Sequence, residues 1–142
     1  MHPNFFRNFC FLIFYMQLGN ALNWFEIPVG DFDRAKKFYE TLFDYQMPES
    51  NLGPARMGFF LYDFKAGKVG GAIVHNPTLY TPSDNGSLIY LNCQPDLQVM
   101  LDRVPNAGGE ILVVKTPVGP DLGYWALIKD CEGNRVALHS MG

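Results

Sequence analysis

The sequence predicts an α+β chain in which one strand–helix–strands module is used twice. Two stretches carry this reading. NWFEIPVGDFDRAKKFYETLF, residues 23–43, passes from a period of two to the 3.6-residue period of a helix within a few positions. LIYLNCQPDLQVMLDRV, residues 88–104, repeats the pattern, with Asp96 matching Asp31 at a spacing of 65 residues, Leu97 matching Phe32 and Met100 matching Ala35. An internal repeat constrains a fold more than any single element does.

In the first strand Phe25, Ile27 and Val29 alternate with Trp24, Glu26 and Pro28. Asp31 is a good N-cap, and Ala35, Phe38, Tyr39, Leu42 and Phe43 then fall at the spacing of one buried helical face. Asp44 stands where a helix commonly ends on glycine. Strand-like runs follow at Gly58–Phe64 and Val69–Val74, joined by the turn residues KAGK. HNPTLYTPSDNG, residues 75–86, reads as loop, with Pro77, Pro82 and Gly86 as breakers. The second helix is expected to be capped by Asp96, to bury Leu97, Met100, Leu101 and Val104, and to stop at Pro105 and the glycines after it. Strands are expected at Glu110–Lys115, Tyr124–Lys129 and Arg135–Ser140, the last two joined by the turn DCEGN. The organisation is a first module over 18–76, a linker over 77–86 and a second module over 87–142.

At 142 residues the chain is long enough to bury a core, and its aromatic content of 15% is high. The net charge of −3 and the lack of a basic stripe exclude a nucleic-acid partner. Cys10, Cys93 and Cys131 cannot all pair and show no CxxC spacing, which points to a reducing, cytoplasmic compartment and not to a disulfide scaffold or zinc site. Residues 1–17 read as an extension. Their apolar run, Phe9–Met16, is too short to cross a bilayer, so no membrane partner is expected. With Arg7 as a thin basic region the first 21 residues also resemble a secretory signal, a minority alternative that the odd cysteine count opposes.

The opening NWFEIPVGDFDRAKKFYETLF and the closing GGEILVVKTPVG…YWALIKDCEGNRVALHS resemble the vicinal oxygen chelate superfamily, the group of glyoxalases, bleomycin-resistance proteins and extradiol dioxygenases. The resemblance runs from about Leu18 to the last residues. It implies two βαβββ modules in tandem, their mixed sheet curled round a cavity, and a homodimer. It also implies four metal-ligand positions, one on the first and one on the last strand of each module. Here these fall on Trp24, near Ala72, near Leu88 and on Ala137. Trp, Ala and Leu do not ligate metals as His, Glu and Gln do, so no cofactor is expected, although a divalent metal on displaced ligands is not excluded.

Strand alternation yields a separate reading. If Phe25, Ile27 and Val29 pack on the helices, Trp24 and Glu26 face the cavity. If Ile89, Leu91 and Cys93 pack, Leu88, Tyr90 and Asn92 face inward. If Val136 and Leu138 pack, Ala137 and His139 do. The expected ligand-binding residues are therefore Trp24, Glu26, Tyr90, Asn92 and His139, a few polar groups in an aromatic cleft. Each has a plainer role open to it: an ion pair of Glu26 with Arg135 or Arg56, exposure of His139, packing of Trp24 and Tyr90, a loop hydrogen bond for Asn92. His75 has no evident partner and reads as a surface residue. The first functional reading is a small-molecule-binding protein taking an apolar or aromatic metabolite. The alternatives are a metal-free enzyme with Glu26 and His139 as catalytic acid–base groups, and a metal-dependent lyase, isomerase or dioxygenase. No serine-hydrolase, zinc-protease or phosphate-loop motif is present.

Overall fold

A computed structural model describes residues 20–142; the expected extension over 1–17 and its cysteine, Cys10, lie outside them. The elements are β1 (Trp24–Pro28), α1 (Phe32–Phe43), β2 (Glu49–Leu52), β3 (Ala55–Phe59), β4 (Gly70–His75), β5 (Ile89–Asn92), α2 (Gln98–Leu101), α3 (Val104–Ala107), β6 (Glu110–Pro117), β7 (Tyr124–Lys129) and β8 (Arg135–Ser140). They form two four-stranded sheets of the same order, β1-β4-β3-β2 and β5-β8-β7-β6. In each, the first strand of the module lies parallel to the last, and the remaining neighbours are antiparallel. The repeat seen in the sequence is thus a repeat of topology, and the tandem βαβββ architecture holds.

The helix α1 follows the expected chemistry. The Asp31 carboxylate accepts from the Arg34 N–H at 3.1 Å, satisfying one of the donors a helix start leaves open. Phe32, Ala35, Phe38, Tyr39 and Leu42 form its buried face. Asp44 takes the left-handed conformation, φ 57°, and its N–H closes on the Glu40 carbonyl. One core then spans both modules: α1 packs with Ile27, Val29 and Ile73 of the first sheet and with Leu91, Cys93, Ile128, Val136 and Leu138 of the second.

Four expectations need correction. The run expected at Gly58–Phe64 is a strand only to Phe59, and it begins earlier, at Ala55. Its partner β2 was not expected at all, because every residue of Glu49–Leu52 is exposed and leaves no alternation to read. The second helix is two short turns, α2 and α3. Pro105 does not stop it but sits in the first turn of α3, where its missing N–H costs nothing. His75 is half-buried, not a free surface residue, with Nδ1 3.0 Å from the Val29 carbonyl. Since that oxygen can only accept, Nδ1 carries the proton.

The modules are joined by more than the linker. The turn 130–134 reaches back into the first module. The buried Tyr39 hydroxyl donates to Asp130 Oδ2 at 2.7 Å, and Asn134 Nδ2 donates to the Pro28 carbonyl at 2.7 Å. Glu132 Oε2 accepts from the N–H groups of Gly30 and Asp31, and Oε1 meets Arg34 at 2.9 Å. At the other end of α1, Arg103 donates to the Leu42 carbonyl at 2.8 Å. A carboxylate at the helix start and a guanidinium at its end both suit the helix dipole, and both come from the second module.

Candidate functional site

The face of each sheet turned away from the helices positions the candidate residues. On the first sheet Met57, Ala72 and Val74 are buried there, with Trp24, Ala55 and Phe59 packed on them. Phe59 lies across from Ala72 in the strand ladder, and Glu26 lies beside the same Ala72. The Trp24 ring stands 6.1 Å from Phe59 and 6.2 Å, edge to face, from Tyr62. Tyr62 lies directly on Gly70, the ladder neighbour of Trp24, where a Cβ would collide with its ring. The glycine is therefore what lets an aromatic platform of Trp24, Phe59 and Tyr62 form.

Glu26 is half-buried at the edge of this platform. Trp24 Nε1 donates to its Oε1 at 3.4 Å. The linker residue Tyr80 lies on the same carboxylate: the hydrogen bond to Glu26, and then the charge of Glu26, raise the Tyr80 phenol above its ordinary pKa. The ion pairs weighed for Glu26 do not form. Arg56 is taken by Asp33 at 3.0 Å and lies 4.0 Å over the Phe32 ring, and Arg135 has no ion-pair partner among the described residues. Instead Glu26 and Arg135 line one cleft of about 220 Å³ at the seam where β1 of one sheet meets β5 and β8 of the other. Thr81, Ser83 and Asn85 of the linker form its outer wall. Ser83 N–H donates to Asn134 Oδ1 at 2.9 Å and Asp84 meets Lys129 at 3.5 Å, which pins that wall to the second module.

The second sheet carries the other candidates. Tyr90 is 54% exposed and lies beside Ala137 in the ladder; Asn92 lies beside His139, and Trp125 flanks His139 on the other side. Asn92 Oδ1 accepts from the Gln94 N–H at 3.1 Å and so shapes the turn after β5. His139 Nε2 is 2.8 Å from the Leu122 carbonyl, which makes Nε2 the protonated nitrogen and Nδ1 the basic one in the neutral ring. The candidates therefore fall into two groups, Trp24 with Glu26 on the first sheet and Tyr90, Asn92 and His139 on the second, and His139 is not part of the seam cleft that holds Glu26.

The positions where the resemblance implies metal ligands carry Trp24, Ala72 and Ala137, with Leu88 just ahead of β5. The residues present do not fit a metal ion there. Among the described residues no three His, Cys, Asp or Glu side chains converge anywhere. No motif in the sequence marks Phe59, Tyr62, Arg135 as a cleft residue or the linker hydroxyls as site residues. The run TPSDNGS carried a signal for the last of these, a density of short polar side chains beyond what a plain connection needs.

Among known proteins, the family model described as the Glyoxalase/Bleomycin resistance protein/Dioxygenase superfamily matches residues 21–138. No curated protein matches the chain by sequence. Solved structures share the fold. A glyoxalase I mutant from Zea mays superposes with a TM-score of 0.65 at 20% identity over 84% of this chain, which spans 46% of the maize chain. The hypothetical protein SA1046 from S. aureus gives 0.60 at 19% identity, over 89% of this chain and 98% of that one. TnmS3, an antibiotic binding protein from Streptomyces sp. CB03234, gives 0.57 at 20% identity, over 87% and 98%.

Proposed function

Because the chain belongs to the glyoxalase/bleomycin resistance/dioxygenase superfamily, a group that contains both metalloenzymes and binding proteins, we propose that it is a binding protein for an apolar or aromatic small molecule, working without the metal of its enzymatic relatives. The observation that carries this reading is the platform of Trp24, Phe59 and Tyr62 over Ala72, which occupies the ground where two of the implied metal ligands belong. Aromatic faces with a few polar groups at the rim suit a flat organic ligand. A homodimer and a reducing, cytoplasmic setting belong to the same reading. Free Cys93 and Cys131 support the latter, and no helix among the described residues is long and apolar enough to cross a membrane.

Metal analysis by mass spectrometry, before and after incubation with Zn²⁺, Ni²⁺, Mn²⁺ and Fe²⁺, tests the first half. Substoichiometric metal throughout is expected, and one tightly held ion per chain overturns the reading. Quenching of tryptophan fluorescence by an aromatic ligand series tests the second half. The quench is expected to weaken at least tenfold in Trp24→Leu and to persist in Trp125→Phe. An unchanged response in Trp24→Leu removes the platform from the site. The enzyme alternative requires Glu26 and His139 to act together. It predicts turnover that vanishes in both Glu26→Gln and His139→Ala while ligand binding survives.

A further inference from the structure

Around the seam several charged side chains are matched by ion pairs, and Asp31 and Asp130 by hydrogen bonds from the Arg34 N–H, Tyr39 and Asn134. Glu132 is held by Arg34 at 2.9 Å, Lys129 by Asp84 at 3.5 Å and Arg56 by Asp33 at 3.0 Å. Glu26 and Arg135 have no ion-pair partner within 4.0 Å among the described residues, although both line the same cleft. Both stand on strands, Glu26 in the middle of β1 and Arg135 at the first residue of β8, so their backbones are fixed by the sheets and not by a mobile loop. Trp24 Nε1 donates to the Glu26 carboxylate at 3.4 Å.

Resting on the reading above, that the open face takes an aromatic metabolite, we propose that the seam cleft is the headgroup site for that ligand and selects a zwitterion, with an ammonium group against Glu26 and a carboxylate against Arg135. The cleft, at about 220 Å³, is below the roughly 300 Å³ at which pockets for drug-sized ligands begin, so it suits a polar headgroup and not a whole ring system. The aromatic platform begins where the cleft ends, since Trp24 touches Glu26 directly. A ligand of this shape lays its ring on Trp24, Phe59 and Tyr62 and places its charged end at the seam. The Ser83 and Thr81 side of the cleft offers hydroxyls for the hydrogen-bonding capacity a carboxylate keeps after pairing with arginine.

Calorimetric titration of the full chain with four probes sharing one phenyl group tests this: phenylalanine, 2-phenylethylamine, 3-phenylpropionate and 2-phenylethanol. Phenylalanine is expected to bind at least tenfold more tightly than either singly charged probe. Glu26→Gln is expected to weaken phenylalanine and 2-phenylethylamine about tenfold and leave 3-phenylpropionate unchanged. Arg135→Gln is expected to weaken phenylalanine and 3-phenylpropionate and leave 2-phenylethylamine unchanged. Equal affinity for all four probes, or variants that weaken all four alike, overturns the zwitterion site while leaving an aromatic-binding protein intact. Binding of none of the four also overturns it, and the Trp24→Leu quenching series then decides separately whether any aromatic ligand is held.

Discussion

Glu132 shows how much one side chain can be asked to do. Its side chain is only 3% exposed, and it satisfies two backbone donors at the start of α1 as well as Arg34, whose own side chain is 58% exposed. The caps should outweigh the ion pair, because an exposed partner is screened by solvent. Glu132→Ala is expected to cost about 1–2 kcal/mol in urea unfolding, and Arg34→Ala less than about 1 kcal/mol. Equal losses would mean that the pair, not the caps, holds the turn to the helix. The thiols make a second prediction. Burial pushes Cys93 up to about 12 from an ordinary value of 9.0, and burial also raises the Tyr39 phenol well above its usual range, helped by the charge of Asp130. Between pH 9 and 12 the unfolded chain then holds fewer protons at Cys93 than the folded one, so stability falls as pH rises through that window and is fully present below it. Thermal melts should drop from pH 8.5 to 10.5, with a shallower slope in Cys93→Ala. Cys93 should also resist a thiol-specific reagent at pH 8 until the protein is unfolded. Of the proposed site, the shared face of Trp24 and Glu26 is legible because two positions apart on a strand is always one face. The position of Arg135 in the same cleft is not, since it depends on how two sheets separated by a linker come to share an edge.

Elements were legible where the buried face is continuous. Asp31 and the five apolar residues behind it define α1 without ambiguity, and the alternation in β1, β5 and β8 assigns the packed faces correctly through Ile27, Leu91 and Val136. β2 escaped because an edge strand with no buried side chain has no period. The second helix reads as one piece because Leu97, Leu101 and Val104 keep helical spacing across the break between α2 and α3, and burial alone does not report where backbone hydrogen bonds lapse. Gly123 supplies the test at this scale. It has φ 73°, and a Cβ there would strike the Ser140 carbonyl, so it fixes how the 118–123 loop enters β7 against the end of β8 and where it places the Leu122 carbonyl that His139 holds. Gly123→Ala is expected to destabilise the protein by more than about 1 kcal/mol and to shift the His139 ring resonances in NMR spectra. Unshifted resonances would separate the loop from the histidine.

The molecule as a whole leaves apolar side chains uncovered on the outer strand of the second sheet. Val114 is 67% exposed, and Leu112 and Val118 are exposed beside it on and just after β6. An apolar edge strand of eight residues is an invitation to pair, and a second copy is the occupant that the proposed homodimer supplies. Sedimentation velocity should therefore give twice the mass of the chain, falling to the single mass in Val114→Glu. A monomer in the unaltered protein removes the dimer from the proposal.

The clamp formed by residues 130–134 has a consequence for how the protein is made. Its bonds join residues 91 to 106 positions apart, and α1 is the earlier element to leave the ribosome. Through most of translation that helix has neither the carboxylate over its first turn nor Arg103 at its last, and the Tyr39 hydroxyl has no acceptor. The nascent first module must wait, incompletely sealed, for the final hairpin. A chain stalled before residue 130 presents the half-built core to proteases and chaperones.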